Sequence, residues 1–423
     1  MPEPLSACLS RWRSIIVFPG RLRVVSDLAV PGVADGERAA DMPGDLLLAS
    51  ACGLALAETP VGGRVLAVIA RERLADAATL AALTTATRLG LANLALAISG
   101  GDDADERLLD VCGWRIAADL GGDGPVATRV GALPAAAPAP GARAPAPVRL
   151  ASLGAWRDAL RAEASPYADA GQWLADLATR EPRLVLPHRD WPCRADAAGL
   201  AIAAEVAATG RRVAWLLPPR CDLSAALPAL RAAARRRIAL KLLMAAEDLP
   251  PLGAWSAAPG WWLIGPAGDA QLRACLAHAL ATEDATLIAL PKRAFAGDWQ
   301  GDHEAGSGRR LAVEAAPAAT LVCDNRGIDL AVAARLLLGT AGIAADVLLC
   351  TSLAPLPAAD LVDAAARGPL IAIDALAGAG FTDAVVAIAP RAARVVTVRS
   401  DVAHVLTPTD VAQAACTAVR ASG

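Results

Sequence analysis

The stretch Val65–Gly101, VLAVIARERLADAATLAALTTATRLGLANLALAISGG, decides the fold class. Val65–Ala70 is an unbroken apolar run, the pattern of a strand buried on both faces. The turn Ala70-Arg71-Glu72 interrupts it, and a run of small residues with helical character follows. Asn93–Ser99 is a second apolar run, closed by Gly100 and Gly101. Strand, helix and strand at this spacing form one βαβ unit, which requires parallel pairing of the two strands.

The same alternation continues along the chain. Arg183–Pro187, Arg212–Leu217 and Ile238–Met244 are short apolar runs separated by Ala-rich segments of helical length. Ala319–Cys323, Asp346–Cys350, Leu370–Asp374 and Arg394–Val398 repeat the pattern. Leu133–Val148, LPAAAPAPGARAPAPV, alternates Pro with Ala and reads as an extended, semi-rigid linker. Phe295–Gly308, rich in Gly and charge, marks a second boundary. The expectation is an α/β protein of three consecutive domains with mainly parallel sheets: residues 1–132, the linker 133–148, then 149–300 and 301–423.

Composition narrows the function classes. The net charge is −3 with both signs interspersed, which gives no nucleic-acid footprint. Arg231, Arg235, Arg236 and Arg237 read as a solvated helix terminus favoured by the helix dipole. No apolar run reaches the ~20 residues that span a bilayer, and Leu46–Ala57 reads as a buried helix. The opening MPEPLSACLSRWRS lacks the layout of a secretory leader, so a soluble, cytoplasmic chain is expected, with no membrane partner. Nine cysteines without a C-x-x-C pair read as reduced thiols, with Cys52, Cys275 and Cys350 as small core residues. Trp261-Trp262 is expected in a core or domain interface.

Together these landmarks resemble the transketolase family, above all 1-deoxy-D-xylulose-5-phosphate synthase. Val65–Gly101 resembles that family's thiamin-diphosphate motif, a Gly-Asp-Gly turn closed about thirty residues later by an Asn. Pro19-Gly20-Arg21 is similar to the synthase's Thr-Gly-Arg turn, and Gly113-Trp114-Arg115 with Asp119–Gly124 to its "Gly-Trp … Asp-Gly-His-Asp" segment. Leu290-Pro291-Lys292-Arg293 resembles Tyr-Pro-Arg-Gly, Pro355-Leu356-Pro357 resembles Lys-Pro-Leu-Asp, and Ala377-Gly378-Ala379-Gly380 resembles the family's glycine-rich turn. The resemblance implies a thiamin-diphosphate-binding (transketolase-like) fold: a diphosphate domain, a pyrimidine domain and a C-terminal domain. It also implies magnesium, a homodimer and, for the synthase, isoprenoid biosynthesis.

The residues that carry the family's chemistry are replaced. Arg71 stands where the resemblance puts the metal-binding Asp, and Gly101 where it puts the Asn. Asp102, Asp103 and Asp105 could substitute as ligands, although GGDDADE reads as a solvated loop. Arg71 and Arg73 could also bind a phosphate directly without metal, although with Glu72 between them they read as an ordinary surface Arg-Glu-Arg turn. Counting back from Gly210 puts Asp196 at the position of the catalytic Glu, one methylene shorter and equally suited to N-cap a helix. Glu205, on the same segment, is out of register. Cys221 takes the place of the aromatic wall after Pro218-Pro219-Arg220, and the family's first-domain His falls beside Pro43. Lys292, with Arg293, replaces the substrate-phosphate Arg.

The expected function is therefore a synthase-like protein that has lost thiamin-diphosphate and magnesium-dependent carboligation. It would act as a pseudoenzyme or a repurposed binding protein, with no cofactor, no metal and a possible protein partner. The alternative is an active family enzyme that holds thiamin diphosphate and magnesium unusually, or whose site a second subunit completes.

Overall fold

The computed structural model describes residues 5–14, 21–31, 33–34, 44–116, 124–133, 170–191, 194–256, 260–291, 295, 299–300, 308–311, 316–391 and 393–421. The described residues form three sheets and fall into two compact units. The first unit draws on residues 1–148, 183–213 and 222–240, the second on 149–182, 214–221 and 241–423. The Pro/Ala linker beyond Leu133, Pro19-Gly20, Pro43, Asp119–Asp123, Lys292-Arg293 and most of Phe295–Gly308 lie outside the described residues.

The first sheet contains β1 (Leu22–Ser26), β2 (Arg64–Ala70), β3 (Leu94–Ser99), β4 (Arg115–Ile116) and β5 (Val126–Val130), ordered β1-β2-β3-β5-β4 and parallel throughout. The expected βαβ unit is present, and Val65 pairs with Leu94 in register. Both faces are covered, which explains why its strands carry no polar alternation. Val65, Ala67, Ile69, Leu94, Leu96 and Ile98 join one core, while Leu66, Val68, Ala95 and Ala97 join the other. Leu5 and Leu9 of α1 (Leu5–Ser14) close that second core.

The first core also holds α2 (Leu47–Glu58) and α3 (Ala77–Arg88), and Leu109 of α4 (Asp103–Val111). Gly44–Val61, which includes α2, is long and apolar enough by composition to cross a membrane. Here α2 is a core helix, apolar on all sides and buried between the sheet and a second small-residue helix.

The second sheet is ordered β15-β9-β10-β8-β7-β6. Its elements are α5 (Ala170–Arg180), β6 (Leu184–Val185), α6 (Pro187–Asp190), α7 (Ala197–Ala208), β7 (Arg212–Leu216), α8 (Leu227–Arg235), β8 (Leu240–Ala245), α9 (Leu252–Ser256), β9 (Trp261–Ile264), α10 (Asp269–Ala281) and β10 (Ala285–Leu290). Within the first unit, α7 is the helix that meets α2. A Cβ built on Gly53 would lie 2.5 Å from the Ile202 carbonyl oxygen, so glycine is what lets the two backbones approach. In the second unit Trp261 is buried against Trp255 with ring centroids 5.6 Å apart, and Trp262 stacks on His278.

The third sheet is ordered β11-β12-β14-β13-β16-β17. It comprises β11 (Trp299–Gln300), β12 (Gly308–Leu311), β13 (Ala319–Cys323), α11 (Ile328–Thr340), β14 (Ala345–Cys350), α12 (Ala358–Arg367), β16 (Leu370–Asp374), α13 (Phe381–Ile388), β17 (Val395–Arg399) and α14 (Pro408–Arg420). β13, β14, β16 and β17 run parallel, and β12 and β11 continue the sheet antiparallel. β15 (Ser352–Ala354) leaves this part of the chain and pairs antiparallel with β9. The α/β class with mainly parallel sheets is thus observed.

Two local expectations are corrected. The GGDDADE segment is not a loop from Asp103 onward: it is the N-terminus of α4, because Asp102 caps it. The arginine cluster is not wholly solvated: Arg236 is buried and pairs with Glu205, which is 1% exposed. Seven described cysteines are free, and Cys52, Cys275 and Cys350 are buried as expected.

Candidate functional site

The carboxyl edge of the first sheet is where an open parallel sheet binds ligands. Here that edge is a set of ion pairs. β2 ends in a 3-10 turn, Arg71–Ala75, and its two arginines point to opposite partners. Arg71 reaches the loop after β3, with Nη2 2.5 Å from Asp102 Oδ2 and Nε 3.1 Å from Asp105 Oδ2. Arg73 lies 3.3 Å from Asp27, which follows β1, and 3.5 Å from Asp76, which precedes α3. A Cβ on Gly44 would sit 2.4 Å from the Arg73 guanidinium, so the chain entering α2 also packs on this side chain.

The acidic partners are ordered by the helix they start. Asp102 Oδ1 accepts the Ala104 amide at 2.8 Å and the Asp105 amide at 3.3 Å, and Asp105 Oδ2 accepts the Asp102 amide at 2.7 Å, so Asp102 and Asp105 form a reciprocal capping box. Desolvation, the largest single effect, pushes the Asp102 carboxyl up, but the Ala104 and Asp105 amides, Arg71 and Arg129 together outweigh it and hold it below the usual range. Arg129 of β5 pairs with Asp103 and Glu106 on the other side of the same helix turn. Gly101 supplies no ligand, and a Cβ there would already meet Ile98 Cγ2 at 3.0 Å.

These residues do not fit a divalent metal and its diphosphate. The two carboxylates that converge, Asp102 and Asp105, are taken up by a guanidinium, which cannot ligate a cation. Among the described residues, no group of three or more His, Cys, Asp or Glu side chains is placed to hold a metal ion. Four carboxylates face the two guanidiniums of Arg71 and Arg73, so the edge carries excess negative charge that opposes an anionic diphosphate.

The other sequence candidates fall in different places. Asp196, in the first unit, N-caps α7, and its Oδ1 accepts the Gly199 amide at 2.9 Å. Cys221, in the second unit, is buried and follows Arg220, whose φ of 60° lies in the left-handed region that side chains other than glycine seldom adopt. The Asp248 carboxylate accepts the Arg220 amide at 2.6 Å and fixes that turn.

Two buried polar clusters were not legible in the sequence. In the first unit, Glu205 takes both Arg236 Nη atoms, and Glu58 accepts Arg21 Nε at 2.9 Å. Half-buried Arg23 sits in the same field: burial lowers its pKa most, Arg21 adds to this, and Glu58 and Glu205 oppose it. In the second unit, Asp324 directly follows β13 and Asp374 ends the adjacent strand β16. Asp324 pairs with Arg326, and Asp374 accepts the Phe381 amide at 3.1 Å at the start of α13. A charged residue directly after an apolar strand was the available signal; the pairing partners were not.

Burial first, then the Asp324 charge, raise the Asp374 carboxyl above its ordinary value. Between the unfolded value near ~3.9 and that raised value, the folded chain binds more protons than the unfolded one. Stability is therefore expected to fall as pH rises through this window. Asp374→Asn keeps an acceptor for Phe381 and should flatten that slope; urea melts across the acid range would show it, and an unchanged slope would refute it.

No protein-family model and no curated protein sequence matches the chain. Solved structures do. A transketolase from Leishmania mexicana superposes with TM-score 0.68 at 12% identity, covering 100% of this chain and 91% of its own. A Pichia stipitis transketolase gives 0.67 at 13% identity, covering 89% and 81%. The chain has a transketolase-like fold. A third structure, described as a split-gene transketolase in an inactive beta4 tetramer, matches with TM-score 0.50 at 19% identity, covering 60% of this chain and 98% of that one. At these identities the likeness is one of fold, so what this transketolase-like chain does rests on its own side chains.

Proposed function

We propose that this transketolase-fold chain, nearest in its motifs to 1-deoxy-D-xylulose-5-phosphate synthase, has given up thiamin-diphosphate and magnesium-dependent carboligation. It serves instead as a pseudoenzyme or repurposed binding protein. One observation carries the reading: the edge that would receive diphosphate and metal is filled by Arg71 and Arg73 with four carboxylates. Asp196, engaged as a helix cap, and Cys221, in place of an aromatic wall, support it. The division at residues 133–148 and near 300, a homodimeric assembly and a cytoplasmic location belong to the same proposal; the tetrameric split-gene neighbour supports self-association.

Calorimetric titration of thiamin diphosphate with magnesium into the purified protein tests the reading. No binding is expected. Micromolar binding would overturn it and restore the alternative of a working carboligase, in which Lys292 and Arg293 would be the first substrate-phosphate candidates to mutate.

A further inference from the structure

Arg71 does more than leave a metal position empty of ligands. It comes from the end of β2, and both its carboxylate partners come from the loop and helix after β3. It therefore joins the ends of two neighbouring strands by charge. Asp102 Oδ1 is committed to the Ala104 and Asp105 amides, so Oδ2 is the oxygen that turns to Arg71. Asp105 Oδ2 serves both the Asp102 amide and Arg71. Two carboxylate oxygens thus converge on one cationic centre. Without that centre they would repel each other across the first turn of α4, where Asp103 and Glu106 add further negative charge and are matched by Arg129.

We propose that Arg71 is a built-in replacement for a divalent cation: its guanidinium bridges the Asp102–Asp105 pair and ties the end of β2 to α4, so that these loops need no metal ion. This inference rests on the reading that the edge holds no metal, and it adds what holds the edge closed instead. The ligand class that could take the place of the guanidinium is a hard divalent cation, since the oxygens it frees are carboxylate oxygens. Arg71 is 45% exposed, so water and ions can reach the pair.

The test compares the wild-type chain with Arg71→Ala and Arg71→Asp, the second of which adds a carboxylate. The readouts are thermal melts in EDTA or millimolar manganese, and the electron paramagnetic resonance signal of free manganese. The wild-type melt should be indifferent to manganese. Both variants should melt lower than the wild type in EDTA, by about 2 °C or more. Arg71→Asp should recover with manganese and bind it at least tenfold more tightly than the wild type. Should either variant fail to fold, Arg71→Lys keeps the charge without the fork and should melt below the wild type in EDTA and in manganese alike, without manganese binding; an Arg71→Lys melt equal to the wild type's would overturn the proposal. Variants as stable as the wild type in EDTA would overturn the proposal, as would manganese binding to the wild type that Asp102→Asn abolishes. Neither result depends on the thiamin-diphosphate titration: a stable Arg71→Ala with no cofactor binding sinks the replacement alone, and cofactor binding to the wild type sinks the functional reading.

Discussion

Arg236→Met is expected to destabilise the first unit by about 3–5 kcal/mol, the range for removing one partner of a buried ion pair. Glu205 is 1% exposed and both its oxygens meet Arg236, so the substitution leaves a carboxylate in the core. Arg23 shares the field of Glu205 and Glu58 and should hold the loss toward the lower end of that range. The charge, not the shape, is at issue. The double change Glu205→Leu, Arg236→Met should therefore recover most of the loss, because buried pairs often cost as much in desolvation as they return. Denaturant unfolding with unchanged m-values measures both. A single change costing under about 1 kcal/mol would mean that the pair is solvated.

Gly53→Val is expected to cost about 3 kcal/mol or more, at the upper end of the overpacking range. The first added carbon would stand 2.5 Å from the Ile202 carbonyl oxygen and 2.7 Å from Glu205 Cβ. Ile202 contributes backbone, which cannot swing aside, so α2 would have to move off α7. Helix propensity works the other way, since Gly is ~1 kcal/mol worse than Ala in a helix interior. The steric term is the larger and decides the sign. Gly339→Ala on α11 is the control: nothing lies within 4 Å of the added carbon, so only the propensity gain remains and stability should rise. If thermal or urea melts ranked the two substitutions alike, the α2–α7 packing described above would be wrong.

Asp196 shows how far linear counting reaches. Its distance from Gly210 put it at the position of the family's catalytic Glu, with a helix N-cap as the other reading, and it caps α7. The same counting set Glu205 aside as out of register. Yet Glu205 is the carboxylate taken into the core, because residues 31 positions later bring Arg236 to it. Partners that far apart leave no mark on local sequence. Arg71 is a similar case: its type alone excluded a metal ligand, but whether it sought phosphate, solvent or carboxylate depended on where β3 and α4 would lie.

The sequence by itself determined the α/β class, the parallel pairing of most strands and the positions of β2, β3, β13 and β16, to within a residue. These follow from unbroken apolar runs, which need cover on both faces and so need helices between them. It passed over β1 and β5, whose short runs LRVVS and VATRV mix charge into the strand. It also passed over β15, which leaves its neighbours in sequence to pair with β9. Only the tertiary structure decided the state of the sheet edge. Burial and charge balance are properties of what is brought together, and the two arginines of one turn found their four carboxylates after β1, before α3, after β3 and on α4.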